Sequence, residues 1–276
     1  QPQQYAVGEQ VIPTALADQL RDLMVHVVET GPHYAPETLI PGYVVGGKTG
    51  TAQIWDSRAG MWMDRIYNHT FVGFVGEDAR NRFHISAAYL SRGEIVHVHQ
   101  KVYLPTYGLF DEGRFFAWGN EVRAFDTRFG RAGMLICEDF WHASPPYLLW
   151  LDGADLMFFC SASPGRGVSS GPKLESAAWV EHINRAYASL FTCFVTHSNR
   201  VGYEDGLNFW GGSTVFDPNG ELVAQAPYQQ EALTLATLDL NQLHRTRARL
   251  PLLRDERTAL VMREMQRIVG TRSEGK

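Results

Sequence analysis

The chain has 276 residues, of which 45% are hydrophobic and 20% charged, and its formal net charge is -5. This composition is typical of a globular protein with one large domain or two unequal ones. It offers no basic face for nucleic acid and no polybasic patch for a membrane surface. No apolar run approaches the roughly 20 residues that span a bilayer. Residues 1–4 lack the basic and apolar parts of a signal peptide, and the three cysteines lie in apolar runs, so we expect a protein of the reducing cytoplasm.

The first predicted element is an amphipathic helix from Thr14 to Glu29. Its apolar residues recur at helical spacing, with Thr14 placed to cap the helix and Gly31 to end it. From Ile40 to Val75 the pattern changes to short strand-like runs separated by glycines. The spacing of the apolar residues therefore predicts a helix first and short strands after it.

Residues 40–53 read IPGYVVGGKTGTAQ, and residues 68–74 read NHTFVGF. Both stretches resemble the carboxy-terminal Lys-Thr-Gly region of a penicillin-binding transpeptidase. The resemblance implies that Lys48 lies on a strand beside a serine nucleophile, yet the 47 residues before it cannot hold the domain that carries this serine. We therefore interpret residues 1–76 as an incomplete transpeptidase-tail-like segment without independent activity.

Gly42 to Thr49 also satisfies the phosphate-binding pattern G-x-x-x-x-G-K-[ST]. Such a loop follows a strand and opens a helix whose N-terminal amides hold the phosphates. Here Pro41 precedes the pattern, and residues that favour strands follow it. The pattern therefore predicts a strand and a turn, not a nucleotide site.

Beyond residue 77, strands alternate with helices, which indicates a layered α/β domain. The predicted strands are Phe83–Leu90, Glu94–Leu104, Arg131–Cys137, Asp155–Cys160, Phe191–Thr196, Thr214–Phe216 and Leu222–Ala226. The predicted helices are Pro145–Leu151, Leu174–Leu190 and a charged one from about Leu253 to Val269.

The strand predicted before Cys137 is apolar and ends at this cysteine, with acidic residues directly after it. Thiol chemistry needs the thiolate, so a cationic neighbour is expected, and Lys101 lies on a strand that also ends, at Pro105. Cys160 and Cys193 are interpreted as small buried hydrophobes, and three cysteines are too few for a disulfide framework. His97 and His99 share a strand face but lack a third ligand, so no metal site is predicted.

Several ordered motifs carry a second resemblance, from about residue 77 to the end. They are HQKVYLPTY at 99–107, FDEGRFF at 110–116, GMLICEDFW at 133–141, NRVG at 199–202, and GGS at 211–213 before the turn DPNG at 217–220. Together they resemble the nitrilase superfamily of carbon–nitrogen hydrolases. The implied fold is a four-layer αββα sandwich in residues 77–276, with its amino-terminal strand–helix–strand part replaced by the foreign segment.

The resemblance implies that Cys137 is the nucleophile, that Lys101 and the backbone N–H of Glu138 stabilise an oxyanion, and that Glu112 supports the lysine. Acidic residues after the cysteine resemble the branch of amidases and NAD synthetase glutaminases. The implied reaction is hydrolysis of a carboxamide to a carboxylate and ammonia through a thioester. It needs no cofactor and acts on a small molecule.

The foreign segment replaces the part that carries the family's general-base glutamate, and Glu37 is the only candidate substitute. The alternative hypothesis is therefore a catalytically impaired nitrilase-fold protein that only binds a ligand or oligomerises. Residues from Leu250 to Arg257 and the helix after them resemble the family's tail at dimer interfaces, which predicts a homo-oligomer.

Overall fold

The structure is a computed structural model, and it describes residues 43–56, 61–77, 82–91, 94–166, 173–204 and 206–274. The chain divides into two units, Gln1–Val122 and Arg123–Lys276. The predicted helix from Thr14 to Glu29 and the candidate base Glu37 lie outside the described residues. The predicted change of origin near residue 77 stays a prediction.

The described part of the first unit starts with a long antiparallel hairpin. Strand β1 (Tyr43–Asp56) pairs with β2 (Met61–Glu77), and β3 (Arg82–His84) pairs with the other side of β2. The register of β1 and β2 shifts between Gln53 and Trp55. Residues 43–49 of the phosphate-loop pattern thus lie within a strand that continues to Asp56, which confirms the predicted strand and excludes a loop that opens a helix.

A second hairpin follows, made of β4 (Ser86–Ser91) and β5 (Glu94–Gln100). The predicted strand to Leu104 is too long, since the ladder ends at Gln100. Lys101 then donates its backbone N–H to the Ile85 carbonyl, and its own carbonyl accepts from the Gly119 N–H, both at 2.8 Å. The short helix α1 (Glu112–Phe115) lies in the part of the chain between Lys101 and Gly119.

The second unit is built around a six-stranded mixed sheet. Its strands are β6 (Phe125–Thr127), β7 (Gly130–Ile136), β8 (Leu156–Ser161), β9 (Phe194–Asn199), β12 (Thr214–Phe216) and β13 (Leu222–Gln225). Their order is β13-β12-β9-β8-β7-β6. The three central strands β7, β8 and β9 run parallel, and the outer strands pair antiparallel. The predicted α/β class is confirmed.

Helices cover this sheet because the parallel strands need crossover connections. Helix α2 (Ser144–Leu151) follows β7, and α3 (Glu175–Leu190) joins β8 to β9 and packs on β9 and β12. Ala177, Val180 and Ala188 on α3 are fully buried, at a spacing that places them on one helix face. Burying a side chain such as that of Val180 contributes about 1.5–3 kcal/mol to the stability of the fold. This apolar face therefore stabilises the packing of α3 on the sheet.

The remaining elements are the hairpin of β10 (Val201–Glu204) and β11 (Leu207–Trp210), and the helices α4 (Asn241–Arg249), α5 (Leu252–Asp255) and α6 (Thr258–Glu274). Arg247 anchors α4, since its guanidinium lies 2.6 Å from the Asp155 carboxylate. Within the described ranges, no helix combines the length and the apolarity needed to cross a bilayer.

Candidate active site

The predicted nucleophile Cys137 stands directly after the central strand β7. It begins a short 3-10 turn, Cys137–Trp141, which we call the Cys137 turn. Its φ of 49° lies in the left-handed region, which residues with a Cβ rarely occupy. Such a conformation persists only where the surroundings over-determine it, and it recurs at functional sites.

Two buried side chains hold the Cys137 turn. The Asp139 carboxylate, fully buried, accepts a hydrogen bond of 3.0 Å from the backbone N–H of Ile136, the last residue of β7. Phe140 is also fully buried and stacks on Phe159 of β8, with ring centroids 4.7 Å apart. The turn is therefore fixed by a charge-assisted hydrogen bond on one side and by core packing on the other.

The three cysteines differ in their surroundings, and none of them forms a disulfide. Cys137 is half-buried, whereas Cys193 is fully buried, and burial raises the pKa of the Cys193 thiol to about 12. Burial also raises the pKa of Cys160. Cys193 therefore matches the predicted small buried hydrophobe, whereas Cys160 is half-buried, like Cys137, and not buried as predicted.

Lys101 and Glu112 belong to the first unit, where the structure brings them together. The Lys101 ammonium lies 2.6 Å from the Glu112 carboxylate, and their side chains are 2% and 20% exposed. A buried ammonium needs such a partner because an unpaired charge away from water is costly. The contact predicted between Glu112 and the lysine is therefore present, while the catalytic roles of both stay predictions.

Glu138, whose backbone N–H is the predicted oxyanion donor, follows Cys137 in the turn. Its side chain is buried, and its carboxylate lies 3.5 Å from the His142 imidazole one helical turn further on. The Glu138 side chain thus has a basic neighbour within its own segment.

A chain of polar side chains that sequence reasoning missed lies on β8 and β9. The Ser161 hydroxyl at the end of β8 is 2.7 Å from Nε2 of His197 and donates to the Asn199 side-chain oxygen at 2.8 Å. His197 is 2% exposed, and burial lowers the pKa of its imidazole to about 3. No sequence pattern joins these residues, since only the pairing of β8 with β9 brings them together.

The described ranges hold no group of three or more His, Cys, Asp or Glu residues that could bind a metal ion. The pKa of His97 is lowered by burial and by the neighbouring His99. Among the described residues, the second unit thus offers the Cys137 thiol and the backbone amides of its turn, and the first unit offers the Lys101 ammonium with its carboxylate partner Glu112.

Comparison with known proteins identifies the family. The profile of the carbon-nitrogen hydrolase family matches residues 35–248. The glutamine-dependent NAD(+) synthetase of Thermotoga maritima is 35% identical over 178 residues, which are 62% of this chain and 28% of that protein. The N-carbamoylputrescine amidase of Arabidopsis thaliana is 26% identical over 194 residues, 67% of this chain and 64% of the relative.

Among solved structures, a carbon-nitrogen hydrolase from Helicobacter pylori is 27% identical with a TM-score of 0.60, and the match covers 66% of each chain. The fold is thus nitrilase-like, as predicted. The chain matches less than a third of the length of the Thermotoga relative.

The family match begins at residue 35, not near residue 77, so it extends into the segment assigned to a transpeptidase tail. The predicted transpeptidase origin of residues 1–76 finds no support in these matches. Because the match spans well over half of the chain, this protein belongs to the carbon-nitrogen hydrolase family.

Proposed function

We propose that the protein hydrolyses a carboxamide to a carboxylate and ammonia, with Cys137 as the nucleophile. The Cys137 sulfur attacks the carbonyl carbon, the C–N bond breaks and ammonia leaves; water then hydrolyses the thioester and restores the thiol. The observation that carries the proposal is Cys137 itself, half-buried and held in a left-handed conformation at the end of a central parallel strand. Loops beyond the carboxyl ends of such strands are where α/β proteins place their ligands.

The charge that develops on the carbonyl oxygen needs donors. We assign the Lys101 ammonium and the backbone N–H of Glu138 as the donors to this oxygen. Each such donor stabilises the transition state by about 3 to 4 kcal/mol. The Lys101–Glu112 pair supports this role because the Glu112 carboxylate, 2.6 Å from the Lys101 Nζ, is an ionic partner for a side chain that is only 2% exposed. Glu112 thus orients the Lys101 side chain through this hydrogen bond.

A general base is required to deprotonate the thiol and later the water, a contribution of about 100- to 10,000-fold. We propose Glu37 for this role. The family match begins at residue 35 and so includes Glu37, which supports the proposal independently of the described residues. If Glu37 does not act, the impaired binding module becomes the better description.

Two substrate classes follow from the relatives. The Thermotoga relative is named for its dependence on glutamine, and the Arabidopsis relative for an N-carbamoyl amine. We propose a side-chain or simple carboxamide first, since acidic residues follow the cysteine here, and an N-carbamoyl amine second. Both reactions break a C–N bond at a planar carbonyl and release ammonia, so one assay covers them.

Ammonia release tests the proposal, with glutamine, simple amides and an N-carbamoyl amine as substrates. The expected result is release by the wild type and by Cys160→Ala, the matched control, but not by Cys137→Ala. Glu37→Gln should lower the rate about 100-fold or more. Release that survives Cys137→Ala would refute the thioester route, and no release from any substrate would favour the impaired binding module.

We also propose that the chain forms a homo-oligomer in a reducing, cytoplasmic compartment. Support comes from four apolar side chains on α6 that are 36% exposed or more, and from three free thiols. The exposed side chains are Met262, Met265, Ile268 and Val269. Light scattering at micromolar concentration should show a dimer or larger species, and a monomer would refute the assembly.

A further inference from the structure

His197 occupies a position between the Cys137 turn and the end of the neighbouring strand β8. One side of its imidazole meets the Phe140 ring edge-on, with centroids 5.5 Å apart. Its Nε2 lies 2.7 Å from the Ser161 hydroxyl. The imidazole is thus in contact with the segment that carries Cys137 and with the strand beside it.

The hydrogen bonds around Ser161 determine which imidazole nitrogen carries the proton. Asn199 Oδ1 accepts from the Ser163 backbone N–H at 2.9 Å and from the Ser161 hydroxyl at 2.8 Å. Ser161 has one proton and gives it to Asn199, so His197 Nε2 must carry a proton and donate it to Ser161. Nδ1 is then an acceptor, which agrees with its having no hydrogen-bond partner among the described residues.

The chain of hydrogen bonds continues to the loop beyond β11. Asn199 donates from Nδ2 to the Gly211 carbonyl at 3.1 Å, and its backbone N–H donates to the Ser213 hydroxyl at 3.0 Å. In the sheet, Ser161 pairs with Asn199, and Cys160 pairs with Ile136. Ser161 and Asn199 therefore lie one residue beyond the Ile136 row, at the level where β7 gives way to Cys137.

We propose that His197 is a positioning residue for Cys137, acting through its contact with Phe140 and through the Ser161–Asn199 chain. This inference rests on the proposed function, in which Cys137 is the nucleophile. His197 does not touch the reacting atoms; it holds the turn that presents them.

The physical reason lies in the strained backbone of Cys137. A left-handed residue with a Cβ relaxes unless its neighbours prevent it. Asp139 ties the start of the turn to β7, and Phe140 is held between Phe159 and His197. A misplacement of about 1 Å of a reacting group costs on the order of 100-fold in rate.

Three variants and one control test the proposal. His197→Leu removes the donor to Ser161, yet Ser161 still donates to Asn199, so the fold is expected to persist. His197→Gln keeps a side-chain N–H that reaches Ser161, and Ser161→Ala breaks the chain from its other end. His244→Leu, an exposed site on α4, is the matched control.

In the steady-state hydrolysis of the best amide, His197→Leu and Ser161→Ala should lower kcat about tenfold or more with KM changed less than about threefold. His197→Gln should recover at least about a third of the wild-type kcat, and His244→Leu should equal the wild type. A kcat within about threefold of the wild type in both His197→Leu and Ser161→Ala would overturn the proposal.

Alkylation of Cys137 by iodoacetamide, followed peptide by peptide, decides the question even if no amide is hydrolysed. In that case the proposed function fails, while a Cys137 rate changed about threefold or more in His197→Leu still supports positioning. The buried Cys193 is the internal reference. If Cys193 also becomes reactive, or if the Cys137 rate stays within about threefold, the positioning role is refuted.

Discussion

His197 predicts a specific dependence of stability on pH. Burial holds the pKa of its imidazole at about 3 in the folded protein, against an ordinary value of 6.5. Between these two pH values the unfolded chain binds a proton that the folded protein does not. The free energy of unfolding therefore falls as the pH drops through this window, and His197 contributes its full stabilisation only above about pH 6.5.

The magnitude follows from linkage. Each pH unit inside the window removes about 1.4 kcal/mol, so acidification from about pH 6.5 to about pH 5 removes about 2 kcal/mol through this one group. The loss is a sizeable fraction of an ordinary domain stability of about 5–15 kcal/mol. No other residue is needed to produce it.

Urea unfolding of the wild type and of His197→Gln at about pH 7 and about pH 5 measures this loss. Other groups titrate in both proteins and cancel in the difference between them. The wild type should lose about 2 kcal/mol more than the variant on acidification. Equal losses would refute the reasoning, because they would mean that His197 titrates alike in the folded and unfolded chains.

Three further perturbations have defined outcomes. Glu112→Ala leaves the Lys101 ammonium buried without its carboxylate and should lower the free energy of unfolding by about 3–5 kcal/mol, measured by urea unfolding; a loss below about 1 kcal/mol would show that the ammonium reaches water. Asp139→Ala leaves the Ile136 N–H without its acceptor and should cost about 1–3 kcal/mol by the same measurement, with a neutral effect as the contrary result. Cys193, with its pKa raised to about 12, should resist iodoacetamide in the native protein and react once urea unfolds the chain; rapid native labelling would contradict its burial.

The central sheet was predictable from the sequence because its strands are apolar and bounded by turn residues. The predicted strand Arg131–Cys137 is observed at Gly130–Ile136. The strand Thr214–Phe216 is observed with the predicted bounds. The strand predicted to begin at Phe191 begins at Phe194 instead. Thr192 has a φ of 45°, so the chain is still turning there although the neighbouring Phe191 and Cys193 are apolar.

The candidate site was only partly predictable. Lys101 and Glu112 were identified from their motifs, and their contact agrees with the prediction. The left-handed backbone conformation of Cys137 could not be predicted, because a cysteine, unlike a glycine or an asparagine, has no preference for a positive φ. His197 and Ser161 are 36 residues apart, and only the pairing of β8 with β9 brings them together. Helix α4 was missed as well, since Leu243 and Thr246 are its only buried residues.

The aligned ends of β7, β8 and β9 determine where the protein tolerates an inserted or deleted residue. Inserting or deleting one residue within β8 or β9 would move Ser161 or Asn199 by about 3.3 Å and turn the side chain to the opposite face. The connection around Gly153, which has a φ of 85° and leads into the amino-terminal end of β8, carries none of these residues. Tags or inserted loops are therefore better placed there than near residues 161 or 199.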